Sequence, residues 1–305
     1  MDNKITNSGT LITYNNYNKN NISTSAKKTN NKKYKKRKKF RGIIRLFIVF
    51  LFIIMCVIIS KFLSGVIFDL INSPGNLENG GYTSEVVSVS ETKDIIKQLK
   101  KENYPESLIT LFEKHPETKD FVLGYKELKN KKVKINIKKD VQKGGIPLFL
   151  QWDKRWGYKE YGSDFLAVTG CGPTCLAMVQ CGLSGNTKWN PYNVAKMAEN
   201  NGFYIEGSGS SWDLMASGAS KIGLTSHEVA FEKNNILAEL EAGNPIICSM
   251  GPGDFTTTGH FIVLAGTDGN GGIIVNDPNS KENSSKVWDI EKIMPQVRNL
   301  WGYSL

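Results

Sequence analysis

The sequence predicts an α+β fold with a largely antiparallel sheet, set behind a single transmembrane helix. Three observations predict it. Helix signals come first and strand signals dominate the end, with no regular βαβ alternation between them. One segment near the start is apolar all round. The charge of the chain is concentrated ahead of that segment.

The formal net charge of +10 is a property of the tail. Residues 1–45 hold 13 Lys/Arg and one acidic residue, Asp2, a net of +12, whereas the other 260 hold 26 Lys/Arg and 28 Asp/Glu, a net of −2. This distribution argues against a nucleic-acid partner for the folded part. Residues 1–42 are Asn-, Lys- and Ser-rich, with a block of like charge at Lys32 to Lys39, and are expected to be a disordered basic tail. Leu46 to Ser60 runs 15 residues without a charge, and 43–63 gives 21 residues interrupted only by Arg45 and Lys61 near its ends. A spanning helix needs about 20 residues, and terminal basic side chains snorkel to the headgroups. A cleaved signal peptide fits poorly, because the basic region is too long and no small-x-small site follows. Lys/Arg excess marks the cytoplasmic side, so the reading is a single-pass cell-membrane protein, N-terminus inside and the rest outside.

Residues 64–89 are rich in Ser, Gly and Asn and are expected to be a linker. Over 90–143 a small helical pre-domain, or a stalk, is expected. Ser88 and Glu91 have capping-box spacing, Ile95, Ile96 and Leu99 share one helical face, and Pro105 opens a second helix that Pro116 ends. Val133, Ile135 and Ile137 alternate as in a half-exposed strand. From residue 144 to 305 the texture changes to Trp, Tyr, Gly and Phe. Helices are legible at 172–182, 191–201, 212–222 and 234–242, and strands at 146–151, 224–231, 245–250, 260–265 and 272–276.

The candidate chemistry begins at Gly170-Cys171-Gly172-Pro173. Pro is favoured in a first helical turn, so Cys171 stands at a helix N-terminus, where the dipole stabilises an anion such as a thiolate. The flanking glycines are expected to let a substrate backbone come close. Cys175, one turn further in, is expected to face inward as a small buried hydrophobe, Cys181 and Cys248 are given no catalytic part, and the disulfide state of these three and Cys171 is open. A thiol nucleophile needs a base. His260 heads the apolar run Phe261-Ile262-Val263-Leu264, which suits a rigidly held base, whereas His115 and His227 are read as surface residues. Asp268 to Gly272 forms a turn, and a hairpin about it brings Asp277 beside His260 as its orienting partner. Asp277 as a mere turn residue before Pro278, and Asn276 as the orienter, remain open. An oxyanion donor is also needed; the Cys171 N–H is one and the Gln151 amide a second candidate, with a surface role for Gln151 the alternative. Trp152, Trp156, Trp212, Tyr158 and Tyr161 either line a groove or pack. Three histidines and no CxxC spacing give no metal site, and no cofactor is expected.

Taken in order, Ile146-Pro-Leu-Phe-Leu-Gln151-Trp-Asp, Gly170-Cys-Gly-Pro-Thr-Cys, Gly259-His260-Phe and Asn276-Asp277-Pro278 resemble the C39-like family of papain-fold cysteine peptidases. The resemblance implies a papain-like domain, with a helical part that carries the nucleophile and an antiparallel sheet after it. It also implies peptide cleavage, with Cys171 as nucleophile, His260 as base, Asp277 as orienter and Gln151 as oxyanion donor. Members fused to peptide exporters act in the cytoplasm; this chain shows one apolar span and no P-loop. The expected partners are a peptide or protein substrate and the membrane. The alternatives are a hydrolase of cell-wall stem peptides, an acyl or amide transferase using the same residues, and an inactive binding ectodomain.

Overall fold

The computed structural model describes residues 89–305. The expected tail (1–42), transmembrane helix (43–63) and linker (64–89) lie outside the described residues, save Val89. Among the described residues no helix is long and apolar enough to cross a membrane.

Six strands form the main sheet: β1 (Thr225–Glu228), β2 (Ile246–Met250), β3 (His260–Thr267), β4 (Ile273–Asn276), β5 (Val287–Trp288) and β6 (Val297–Ser304). Their spatial order is β1-β6-β2-β3-β4-β5, and every pairing is antiparallel. The longer helices are α1 (Val89–Lys101), α2 (Glu106–Lys114), α3 (Cys171–Ser184), α4 (Pro191–Asn200) and α5 (Lys233–Glu241). The α+β class and the antiparallel sheet are as the sequence predicts.

Helices cover both faces of the sheet. On one face Leu176 and Val179 of α3 pack with Ile247, Phe261, Val263 and Tyr303. On the other, Ile236 and Leu240 of α5 pack with Ile246, Cys248, Ile262 and Leu264. Two covered faces explain why β2 and β3 read as continuous apolar runs rather than as an alternation. Helix α3 is buried nearly all round and ends at Gly185 (φ 71°), whose N–H returns to the Cys181 carbonyl at 2.8 Å. Only a residue that tolerates the left-handed region makes that stop cheaply. Helix α4 starts as expected: the Asn190 carboxamide accepts from the Asn193 N–H at 3.1 Å, and Pro191 occupies the first turn.

A third cluster joins the early helices to the rest. Leu99 of α1 and Leu108, Ile109, Leu111 and Phe112 of α2 pack with Phe121, Trp152, Tyr158 and Ala167. The Tyr158 ring stacks on Phe121 at 4.2 Å.

Several elements differ from expectation. Residues 146–151 form no strand, Gln151 lying in a turn; the Asn276 amide donates to the carbonyls of Ile146 (3.0 Å) and Pro147 (3.2 Å), and the Gln151 N–H donates to the Pro278 carbonyl (2.7 Å). Residues 131–137 form no strand either. The expected helix 212–222 is broken at Ala216 (φ −103°, ψ −82°) into a short 3₁₀ turn and the α-turn Ser217–Lys221. Strand β6 is one the sequence reading did not anticipate.

Candidate active site

Cys171 is the first residue of α3, directly after Gly170 (φ −92°, ψ 18°). It is half-buried, whereas Cys175, Cys181 and Cys248 are buried. All four are free thiols. The glycines beside it serve packing more than substrate approach. A Cβ on Gly172 would lie 2.6 Å from the Ser210 Oγ, and one on Gly170 would lie 2.4 Å from the Leu166 carbonyl oxygen. The turn that carries Cys171 is therefore wedged against its neighbours on both sides. Cys175, one turn on, donates its thiol to the Phe261 carbonyl at 3.3 Å, and burial pushes that thiol well above its ordinary pKa.

His260 heads β3, paired to Met250 of β2. Its Nε2 meets the Asp277 Oδ1 at 2.7 Å, with the two residues only 8% and 1% exposed. Burial alone would lower the imidazole. The Asp277 carboxylate outweighs it and, with a further contribution from the Cys171 side chain, raises His260 to about 10. Burial likewise works against the Asp277 anion, but His260 and the amide donors of Asn283 and Asn279 hold its carboxyl below the ordinary range. With Nε2 on Asp277, Nδ1 is the ring nitrogen left for the Cys171 thiol.

The hairpin joins these two residues by a different register from the simple side-by-side pairing. Val263 pairs with Asn276, and a bulge lies between Leu264 and Gly266. Counted onward, Asp277 falls opposite residue 262, so it meets His260 on the diagonal. A diagonal neighbour two residues along lies on the same sheet face and within reach of a ring. Alternation turns Asn276 to the opposite face, where its amide holds the 146–147 carbonyls and makes no bond to His260.

Cys171, His260 and Gln151 line one cleft of about 630 Å³. Gln151 is 2% exposed. Its Nε2 donates to the Ala167 carbonyl at 2.7 Å and, weakly, to that of Val168 at 3.4 Å, and its Oε1 is buried without a partner. One amide N–H is thus committed to the backbone, and the second is loosely held. The cleft is further lined by the Gly253–Gly259 segment, by Tyr204 and Phe255, and by Ser163 and Asp164. None of Trp152, Trp156, Trp212, Tyr158 or Tyr161 lines it. His227 lies elsewhere, on β1, 3.1 Å from the Glu239 carboxylate. Among the described residues no group of three or more His, Cys, Asp or Glu side chains could hold a metal ion.

The sequence reading missed two contributions. Asn279 and Asn283 bond Asp277: the Asn279 N–H donates to Oδ1 and the Asn283 amide to Oδ2, each at 2.9 Å. The second is a wall of the cleft built by α2 and the residue after it, through Ser107, Thr110, Leu111, Lys114 and His115. His115 is half-buried, and the Asn279 amide donates to its Nε2 at 2.9 Å. No local signal marks this contact, because its partner lies 164 residues further along.

No curated protein sequence matches the chain. A crystal structure described as a C39-like peptidase, from Bacillus anthracis, is similar at a TM-score of 0.36 and 15% identity, over 54% of this chain and 97% of that one. The model of the Peptidase_C39 like family matches residues 143–304, a stretch that holds Gln151, Cys171, His260 and Asp277 and amounts to just over half of the sequence, and the chain therefore belongs to that family.

Proposed function

We propose that this protein is a membrane-tethered, outward-facing cysteine peptidase that works through Cys171, His260 and Asp277. One observation carries the reading: a buried imidazole, 2.7 Å from a buried carboxylate, that lines one cleft with a half-buried thiol at a helix start. A ring kept protonated by Asp277 stabilises a thiolate beside it. The thiolate attacks the scissile carbonyl carbon and the C=O π electrons move to oxygen. The Cys171 N–H at the start of α3 and the loosely held Gln151 N–H are the donors for that oxyanion. As the C–N bond breaks, His260 passes its proton to the leaving amine and a thioester remains. Neutral His260 then takes a proton from water, hydroxide oxygen attacks the thioester, and Cys171 is released as the thiolate with His260 again protonated. Asp277 fixes the ring with Nε2–H toward itself, so that Nδ1 serves the sulfur.

The test is capture of Cys171 by a peptidyl chloromethyl ketone, read by mass spectrometry, followed by a peptide-library cleavage profile. Labelling at Cys175 in place of Cys171, or equal cleavage by wild type and Cys171→Ala, overturns the assignment. The tethering rests on the +12 tail ahead of the apolar stretch, and the division into tail, span, linker, pre-domain and peptidase domain is part of the same proposal. Protease shaving of intact cells should cut beyond residue 72 and spare Lys27 to Lys39; a protected C-terminal domain reverses the orientation.

A further inference from the structure

The segment that precedes the family domain grips the loop carrying Asp277. The loop runs on from β4 through Asn279 to Lys281. The Asn279 amide donates to the His115 Nε2 at 2.9 Å, and the Lys281 N–H donates to both oxygens of the Glu117 carboxylate, at 3.0 and 3.1 Å. Asn279 in turn presents its backbone N–H to the Asp277 Oδ1 at 2.9 Å, and its carbonyl accepts from the Trp152 Nε1 at 3.2 Å. On the other bank of the cleft, the Ser107 hydroxyl of α2 donates to the Asp164 Oδ1 at 3.0 Å. Helix α2 and the turn that follows it are therefore tied both to Asp164 and to the Asn279–Lys281 loop, and α2 and His115 also line the cleft. None of Ser107, His115 or Glu117 lies within the matched family region, 143–304.

We propose that His115 and Glu117 are positioning residues of this peptidase, holding the Asn279–Lys281 loop so that Asp277 meets His260 in the productive geometry. The inference rests on the reading of Cys171, His260 and Asp277 given above. The chain of contacts is short: His115 to the Asn279 side chain, the Asn279 backbone to Asp277, and Asp277 to His260. As written, the first contact needs His115 neutral, because its Nε2 accepts. Burial lowers His115, as do the charges of His260 and Lys114, while Asp277 alone raises it. The neutral form thus prevails at neutral pH. A side chain set at this remove acts on chemistry by fixing the orientation of the group that orients the base.

The experiment uses the full chain, with His115→Leu, His115→Gln, Asn279→Ala and Glu117→Ala, and follows the rate of Cys171 modification by a peptidyl chloromethyl ketone across pH, with thermal unfolding alongside. His115→Leu should slow modification about tenfold, the equivalent of one hydrogen bond in the barrier, and shift the pH profile. His115→Gln, which keeps an acceptor, should recover most of the rate. Asn279→Ala should match His115→Leu and serves if the leucine variant does not fold. Variants that lose thermal stability but keep the wild-type rate and pH profile overturn the inference. A wild-type Cys171 that does not react at all overturns instead the peptidase reading beneath it.

Discussion

Replacing Asp277 is the sharpest perturbation the structure offers, because three donors converge on one carboxylate. Its Oδ1 accepts from His260 Nε2 at 2.7 Å and from the Asn279 N–H at 2.9 Å, and its Oδ2 accepts from the Asn283 amide at 2.9 Å. Asp277→Ala leaves all three without an acceptor and removes the charge that holds the buried imidazole protonated. Breaking a buried pair in this way costs about 3–5 kcal/mol. For a folded part of this size each kcal/mol moves Tm by about 2–4 °C, so a fall of roughly 6–20 °C is expected. Asp277→Asn is milder: its carbonyl can still accept from His260 and Asn279, but its new amide faces that of Asn283, which must turn. About 1–3 kcal/mol is the expected loss. The rate of Cys171 modification should fall by about 10²–10⁴-fold for Ala and by less for Asn. The assay is a double-mutant cycle with His260→Ala on that rate, paired with thermal unfolding. Residues acting as one unit give strongly non-additive effects. If the two losses multiply independently, Asp277 does not work through His260 and is the turn residue of the plainer reading.

The pH dependence of the same pair gives a second outcome. His260, raised from 6.5 to about 10, contributes stability that is fully present below pH 6.5 and lost as pH rises through about 10. Asp277, lowered from 3.8, contributes stability present above pH 3.8 and lost as pH falls through its lowered value. The Tm advantage of wild type over Asp277→Asn should thus be flat between pH 3.8 and 6.5, shrink steadily as pH rises from 6.5 through about 10, and shrink as pH falls below 3.8; an advantage unchanged at high pH contradicts a protonated His260. Cys171→Ala should abolish peptide cleavage with little change in Tm, since the side chain is only half-buried, whereas Cys175→Ala should keep the chemistry at some cost to packing. Gly172→Ala should destabilise by about 1–3 kcal/mol, since the added carbon meets Ser210, whose hydroxyl bonds Tyr161 at 2.8 Å. An unchanged Tm for that variant means that the wall of the nucleophile turn can yield.

What was legible in the sequence is what local chemistry decides. Pro173 and the Gly170–Gly172 pair mark the start of α3, Asn190 and Pro191 mark α4, and the runs at 246–250 and 260–265 announce doubly covered strands. Strand β6 was not legible for a physical reason. Val-Arg-Asn-Leu-Trp-Gly-Tyr-Ser contains a glycine, two polar residues and a charge, and its ladder to β2 is shifted between Val297 and Asn299. It lies centrally, between β1 and β2, through tertiary pairing rather than intrinsic propensity. Residues 146–151 erred in the opposite direction. They are mostly apolar, but the Ile146 and Pro147 carbonyls are taken by the Asn276 side chain and the Leu150 carbonyl by the Trp156 indole N–H, and no ladder forms.

The candidate site divides along the same line. Residue type and helix position pick out Cys171, and an apolar strand entry picks out His260. The turn between β3 and β4 brings Asp277 near, but the bulge at Leu264–Gly266 decides that the meeting is diagonal, and no pattern in the sequence encodes that shift. His115 is the extreme case. A histidine before a proline carries no local mark of function, and its contact with Asn279 arises only when α2 packs with Trp152, Tyr158 and Ala167. The matched family region, 143–304, holds Cys171, His260 and Asp277 but not His115. Orienting a buried imidazole requires a carboxylate that cannot swing; Asn279 and Asn283 hold Asp277 directly, and in the proposed reading His115 and Glu117 add to this by holding the loop from a separate stretch of chain. The geometry of the candidate site thus depends on two segments packed together, which is why Asn279→Ala, a change to none of the three residues proposed to react, should on the proposed reading be felt at the Cys171 sulfur.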